Sequence, residues 1–403
     1  MPLPILMIVA SEDDGGMARV AFSLASRLPA FDVEVRAVVH REAPFTTWLR
    51  DAGVECDVVP DLIETPTRRR ADGRNGVVGL VANLVGLRRA ARQISALAER
   101  HGSRVLYSHN TWGHYVTAGA TRMLRASVPG RPIAAVWHIH NDHSRWLTRR
   151  VDRAAIRLGR VSAIAAVSAS IGQPFAGLSA PLTVVTNGID LGACEAAARA
   201  PLLRAHLGLD ADAIVVAYAG RLVAHKGIDV LLEAARLAIP AVPLLHVVIL
   251  GGRPRHEPHD VVAHLRGRVD EWGLAGRIHL PGHVDDVERY VADADVAVVP
   301  STCADGCPLA AIEALSMGIP VIGSAVGGLP EIVRDRVNGL LVPAGDVRAL
   351  ADAMVTLARE RDLRRRMARA ARDEARDRFD AVEMTRQVAA VLHQAAQERP
   401  CPA

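Results

Sequence analysis

Aromatic side chains are scarce in this sequence: Phe, Trp and Tyr together supply fourteen of 403 residues. A nucleic-acid binder needs rings to stack bases and clustered cations to follow the phosphates. Here 48 Lys and Arg face 44 Asp and Glu, a net charge of only +4, so composition argues against a nucleic-acid partner. Cysteine is sparse too. Cys56, Cys194, Cys303, Cys307 and Cys401 form an odd, scattered set that is no disulfide framework and fits a reducing compartment. Long apolar runs are missing: the longest uncharged stretch, Ala314–Pro330, holds two prolines and four glycines and makes a poor membrane span. The N-terminal apolar run has no basic segment before it and reads as a first strand rather than a signal peptide. A cytoplasmic protein of two domains is the expectation, since one core seldom serves much more than about 250 residues.

What is present is an alternation of short Val- and Ile-rich runs with helical patterns. The first half offers Ile5–Val9, Val33–Val39, Arg104–Tyr107, Ile133–Trp137, Ala163–Val167 and Thr183–Val185. The second half offers Ile214–Ala219, Leu245–Leu250, Arg277–Leu280, Val296–Val299, Val321–Gly323 and Leu340–Val342. Such runs, spaced by helix-length segments, imply parallel sheets covered on both faces. Ile228, Leu231, Leu232, Ala235 and Ile239 fall on one face of a helix. The expected fold is α/β, two doubly wound Rossmann-like domains of residues 1–190 and 191–375. A C-terminal helix, 376–403, is expected to pack back on the first domain. Arg68-Arg69-Arg70, among prolines and glycines, reads as a loop. Ligands of open sheets bind beyond the C-terminal ends of the strands, so two such sheets facing across a cleft direct attention to the loops that follow strands.

After the first strand, Gly15-Gly16 opens a helix, either as a tight turn or to bring backbone N–H groups to an anion. No Walker lysine or G-x-G-x-x-G accompanies it. In the second half, Gly220-Arg221-Leu-Val-Ala-His-Lys226-Gly227 carries two cations on a loop entering a helix, suited to a diphosphate or simply solvated. Pro300-Ser301-Thr-Cys-Ala-Asp305-Gly306-Cys307-Pro308-Leu309-Ala-Ala-Ile-Glu313-Ala314 reads as strand end, turn and helix. Glu313, expected about two turns into that helix among apolar neighbours, is costly there unless it meets hydroxyls or a cation. Two carboxylates so spaced can hold two polyols, such as a hexose and a ribose. Gly327-Gly328-Leu-Pro-Glu331 adds another glycine turn.

Taken together in order, Gly220-Arg221…Lys226-Gly227, Pro300-Ser301…Gly306…Pro308…Glu313-Ala314…Gly318-Ile-Pro320-Val, Gly327-Gly328-Leu-Pro-Glu331 and Asn338-Gly339-Leu resemble the retaining glycosyltransferases of family 4. The resemblance is dense over residues 160–345, includes Asn187-Gly188-Ile189-Asp190, and is thinner before that. It implies the GT-B fold and sugar transfer from a nucleoside-diphosphate sugar, most often of UDP, to an acceptor hydroxyl, with no metal or other cofactor. By position, it implies that Arg221 and Lys226 meet the diphosphate, Glu313 the ribose and Asp305 the transferred sugar. Backbone groups of Gly306, Cys307, Pro308 and Leu309 help bind sugar and phosphate, and His283 meets the base through its main chain. Gly15 and Gly16 match the family's N-terminal glycine loop, and His140 its active-site histidine. This chain departs from the family with Asp305 for a usual Glu, Cys307 for a common aromatic, and Arg253 for a frequent glycine. The shorter Asp305 keeps open a non-catalytic nucleotide-sugar clamp, and a nucleotide-sugar epimerase shares the fold.

Rival motifs need weighing. His138-Ile-His140-Asn-Asp142-His143 matches the H-x-H-x-D-H zinc run of metallo-β-lactamase-like hydrolases, although that fold is an αββα sandwich. Asp293-Ala294-Asp295 imitates a D-x-D metal site but precedes a buried strand, so a turn is expected. Cys303 and Cys307 read as small fillers. Arg145, Arg149, Arg153 and Arg157 form a basic helix stripe that could meet anionic lipid; with little apolar surface opposite beyond Trp146, a solvated face is expected.

Overall fold

The computed structural model describes residues 1–10, 15–62, 77–127, 133–252 and 261–397. The Arg68–Arg70 run, Arg253 and Cys401 lie outside them. The backbone divides into two compact units, residues 1–187 with 381–403, and residues 188–380. The chain passes between them at Asn187/Gly188 and again at Asp380/Ala381, a few residues from the expected 190 and 375.

Among its described residues the first unit holds seven parallel strands: β1 (Leu3–Val9), β2 (Val33–Val39), β3 (Glu55–Val58), β4 (Val105–Ser108), β5 (Ala134–Ile139), β6 (Ala163–Ala166) and β7 (Leu182–Val184), in the order β3-β2-β1-β4-β5-β6-β7. β1 is buried almost throughout, as a central parallel strand of Ile, Leu, Met and Val requires. β3, Glu-Cys-Asp-Val, was not expected as a strand. Among the described residues it sits at the sheet edge, paired with β2 alone, and half-exposed polar residues suit that position. Helix Ala381–Gln397 belongs to this unit: it buries Val388 and Leu392, and His393 Nε2 bonds the Phe31 carbonyl at 3.1 Å.

Among its described residues the second unit holds six parallel strands: β8 (Ile214–Ala219), β9 (Leu245–Leu250), β10 (Ile278–Gly282), β11 (Val296–Val299), β12 (Val321–Ser324) and β13 (Gly339–Val342), in the order β10-β9-β8-β11-β12-β13. Its core joins strand residues such as Val216, Val247, Ile249 and Ile322 to the face of helix Ile228–Ala238 that carries Leu231, Leu232 and Ala235. Ile189 donates its N–H to the Phe379 carbonyl at 2.8 Å, so the entering and leaving segments of this unit lie side by side.

Each strand order reverses once, at β1/β4 and at β8/β11. Chain leaving neighbouring strands on either side of such a point diverges onto opposite faces and opens a crevice. The Gly15-Gly16 loop follows β1, the Arg221–Gly227 loop follows β8, and the Pro300–Leu309 loop follows β11.

Candidate functional site

In the second unit three loops meet, and glycine is what lets them. Gly227 has φ +73°, and a Cβ there would lie 1.9 Å from the Pro300 carbonyl oxygen, so the β8 loop presses directly on the chain leaving β11. Thr302 N–H closes the same junction on the His225 carbonyl at 3.0 Å. Gly327, φ +62°, brings the loop after β12 onto Asp305, whose carbonyl accepts the Gly328 N–H at 2.8 Å. Only glycine combines this left-handed backbone with such close approach.

Into this junction Lys226 extends its ammonium, 2.5 Å from Asp305 Oδ2, and Ser301 Oγ donates to the same oxygen at 3.3 Å. Both charged side chains stay about one-fifth exposed, 22% and 19%, so the pair is reachable from solvent. The structure thus joins two groups that the sequence reading assigned to different parts of a ligand. Arg221 is exposed on the same loop, and its carbonyl is fixed by Tyr218 Oη at 2.8 Å.

Gly306, Cys307 and Pro308 are buried, and Leu309 begins the helix Leu309–Ser316. Glu313 is therefore little more than one turn in, not two, and is 8% exposed. It shares a small cavity with Ala217, Ala219, Glu288, Val299 and Met317. Cys303 is exposed, so only Cys307 acts as a small filler. His283 is exposed after β10. Gly251 N–H bonds the Gly282 carbonyl at 2.9 Å, placing the loop after β9 beside it.

In the first unit Gly15 caps helix Gly16–Arg27, and no described atom lies within 4 Å of where its Cβ would be. Neither its φ of −69° nor that space requires glycine. His140, just beyond β5, shares a 3.1 Å hydrogen bond through Nε2 with His109 Nδ1, and burial pushes its pKa down to about 3. His109 escaped the sequence reading although it follows β4 directly. Only the pairing of Ser108 with Trp137 shows that it sits level with His138.

The H-x-H-x-D-H run does not converge. His143 is bound to Asp152 Oδ2 at 2.8 Å and Thr111 Oγ1 at 3.1 Å, with Tyr115 donating to Asp152 at 3.0 Å. Asp142 instead accepts the Ser144 N–H at 2.8 Å. Two parallel sheets also replace the αββα sandwich that the hydrolase reading needs. Asp293 and Asp295 bind the Arg204 N–H and guanidinium, both at 2.8 Å, as a structural turn. On the arginine-striped helix Trp146–Gly159, Trp146, Leu147, Val151 and Leu158 are exposed, more apolar surface than the sequence pattern suggested. No described helix is long and apolar enough to cross a membrane.

Residues 213–360 match the family model Glycosyl transferases group 1. Among curated relatives, a D-inositol 3-phosphate glycosyltransferase of Saccharomonospora viridis is 37% identical over 47% of this chain and 45% of its own length. That of Mycolicibacterium gilvum is 40% identical over 43% of this chain and 38% of its own. The chain thus matches less than half the length of these relatives. Among solved structures, Anabaena Alr3699/HepE in complex with UDP superposes with a TM-score of 0.78 at 24% identity, over 97% of this chain and all of that one. Sucrose-phosphate synthase of Thermosynechococcus elongatus gives 0.75 at 21% identity, over 97% and 98%. The chain carries a glycosyl transferases group 1 domain, and its two Rossmann-like units are those of the GT-B fold.

Proposed function

We propose that this protein moves a sugar from a nucleoside-diphosphate sugar, with UDP as the nucleotide, to an acceptor hydroxyl, keeping the anomeric configuration and needing no metal. The observation that carries the reading is the Lys226–Asp305 pair at the β8/β11 reversal, with Arg221 on the same loop as Lys226 and the buried Glu313 on the helix that follows Asp305. The bond to be broken joins sugar to phosphate, so the largest electrostatic task is to stabilise the departing diphosphate. Arg221 and Lys226 supply that charge, aided by backbone N–H groups at the start of helix Leu309–Ser316. Asp305 takes the sugar hydroxyls, Glu313 the ribose hydroxyls, and the chain at His283 the base. Gly15 and Gly16 offer backbone N–H groups at the start of helix Gly16–Arg27, and neutral His140 is an acceptor or donor for the sugar. With no side chain assigned as nucleophile, the leaving phosphate takes the acceptor's proton on the face it departs from.

UDP in complexes of Alr3699/HepE, and UDP-glucose in another of its structures, support the choice of nucleotide. The relatives' name makes a phosphorylated polyol the first acceptor to try. A thermal-shift screen of UDP, GDP, ADP and dTDP sugars in EDTA tests the reading, because a ligand present at 100 times its Kd stabilises by about 2.7 kcal/mol. UDP-sugars alone should raise the melting temperature, and UDP should be released when an acceptor is added. No shift with any of the four sets the reading aside.

A further inference from the structure

Three imidazoles gather at the C-terminal ends of β4 and β5 in the first unit. His138 and His140 lie two apart along one chain and so point to the same side. The pairing of Ser108 with Trp137 sets His109 level with His138. Ring centroids are 5.2 Å apart for His109 and His138, 5.3 Å for His109 and His140, and 4.3 Å for His138 and His140. One nitrogen from each ring lies within 4.8 Å of the others.

The hydrogen bonding of this group is incomplete. His109 and His138 are fully buried, yet Nε2 of each has no partner among the described residues. A buried nitrogen without a partner is costly, and here two such atoms belong to one cluster. His138 Nε2 is thus a free nitrogen within the cluster, while His109 turns its other nitrogen, Nδ1, to His140 Nε2.

We propose that His109, His138 and His140 bind a borderline divalent transition-metal ion, zinc above all. Neutral imidazole nitrogens are ligands of this class, and three of them with one open position make a familiar zinc environment. Bonds of about 2.0–2.1 Å place ligand nitrogens about 3.4 Å apart in a tetrahedron. His109 Nδ1 and His140 Nε2 are already 3.1 Å apart, and His138 closes in by side-chain rotation. Tyr107 Oη lies 2.6 Å from His138 Nδ1; when it accepts the proton there, the Nε2 lone pair is left for the metal. His140, the partly exposed member, marks the side from which the ion enters and where its fourth position faces solvent.

This site differs from the sequence run considered above, since Asp142 and His143 are engaged elsewhere and His109 comes from another strand. Transfer itself needs no metal under the proposed function. An ion here withdraws His140 from the sugar and so inhibits, a consequence that rests on that reading while the site does not.

The test is calorimetric titration of Zn²⁺ into the full chain, stripped with EDTA and dialysed at pH 7.5. Wild type should bind one equivalent, His109→Phe should lose it, and Tyr107→Phe, which removes only a buried hydroxyl, should bind about 10–100-fold more weakly. Far-UV circular dichroism verifies folding, and Tyr107→Phe carries the test if His109→Phe does not fold. No stoichiometric binding to wild type, or unchanged affinity in Tyr107→Phe, overturns the site. Neither result touches the transfer reading, because no donor is present.

Discussion

Lys226 Nζ and Asp305 Oδ2 stand 2.5 Å apart, although 79 positions separate the two residues in the chain. They meet because β8 and β11 are neighbours in the sheet and glycine at 227 and 327 lets the loops after β8, β11 and β12 touch. In the free protein the pair satisfies itself. Under the proposed function, a bound diphosphate is a second anion for Lys226 and leaves Asp305 more freedom to accept sugar hydroxyls.

Replacing Lys226 with alanine should therefore reduce transfer far more than stability. Loss of a charged hydrogen bond at a developing charge costs about 2–3 kcal/mol, or roughly 30–150-fold in kcat/KM. The partly exposed ion pair itself contributes at most about 1 kcal/mol to folding. Steady-state kinetics beside urea unfolding separates the two, and wild-type kcat/KM in the variant contradicts the phosphate role.

Asp305→Glu lengthens the acid by one methylene toward the residue usual in the retaining glycosyltransferases that the sequence resembles. Nucleotide affinity should stay within about threefold, under about 1 kcal/mol. The ratio of kcat/KM among UDP-sugars should change, since the carboxylate reaches different hydroxyls. Competition between UDP-glucose and UDP-galactose measures that ratio; an unchanged ratio removes Asp305 from sugar recognition.

Gly227→Ala should destabilise the second unit by about 2–4 kcal/mol, combining a left-handed alanine with a close contact. The contact is severe, because the new Cβ meets the Pro300 carbonyl oxygen, a backbone atom that cannot swing aside. Denaturant unfolding reads the loss. A change within 0.5 kcal/mol, about the range of ordinary surface substitutions, shows that the loop junction is not as tight as described.

Acid should weaken the first unit through His114, which is buried, stacked on Trp137 and 2.8 Å from Ser108 Oγ through Nδ1. Burial holds its pKa well below the ordinary 6.5, with the neighbouring imidazoles of His143, His140 and His138 adding to it. Below 6.5 the unfolded chain takes up a proton that the native state refuses, so stability rises with pH in that range and falls on acidification. The slope per such residue is about 1.4 kcal/mol per pH unit. Urea unfolding in EDTA at pH 7.5 and 5.5 should show a smaller loss for His114→Gln than for wild type; equal losses contradict a neutral buried His114.

Much of this architecture was legible because parallel strands buried on both faces leave unbroken Val and Ile runs, as in β8, Ile-Val-Val-Ala-Tyr-Ala. The edge strand β3 left no such trace, since Glu55 and Asp57 interrupt it and, among the described residues, it pairs on one side alone. At the site, the glycine turns and Glu313 stood out by their cost in an ordinary chain. What the sequence could not carry was partnership across distance. The Lys226–Asp305 pair, the burial of His143 on Asp152, and the grouping of His109 with His138 all depend on strand neighbours and register.

The most direct measurement is calorimetric titration of UDP into the full chain in the presence of EDTA, for wild type and for Glu313→Ala. The account predicts one equivalent of UDP bound without metal by wild type, and affinity lower by about 2 kcal/mol, roughly 30-fold, when the ribose carboxylate is removed. Absence of binding in EDTA, or equal affinity in the two proteins, contradicts it.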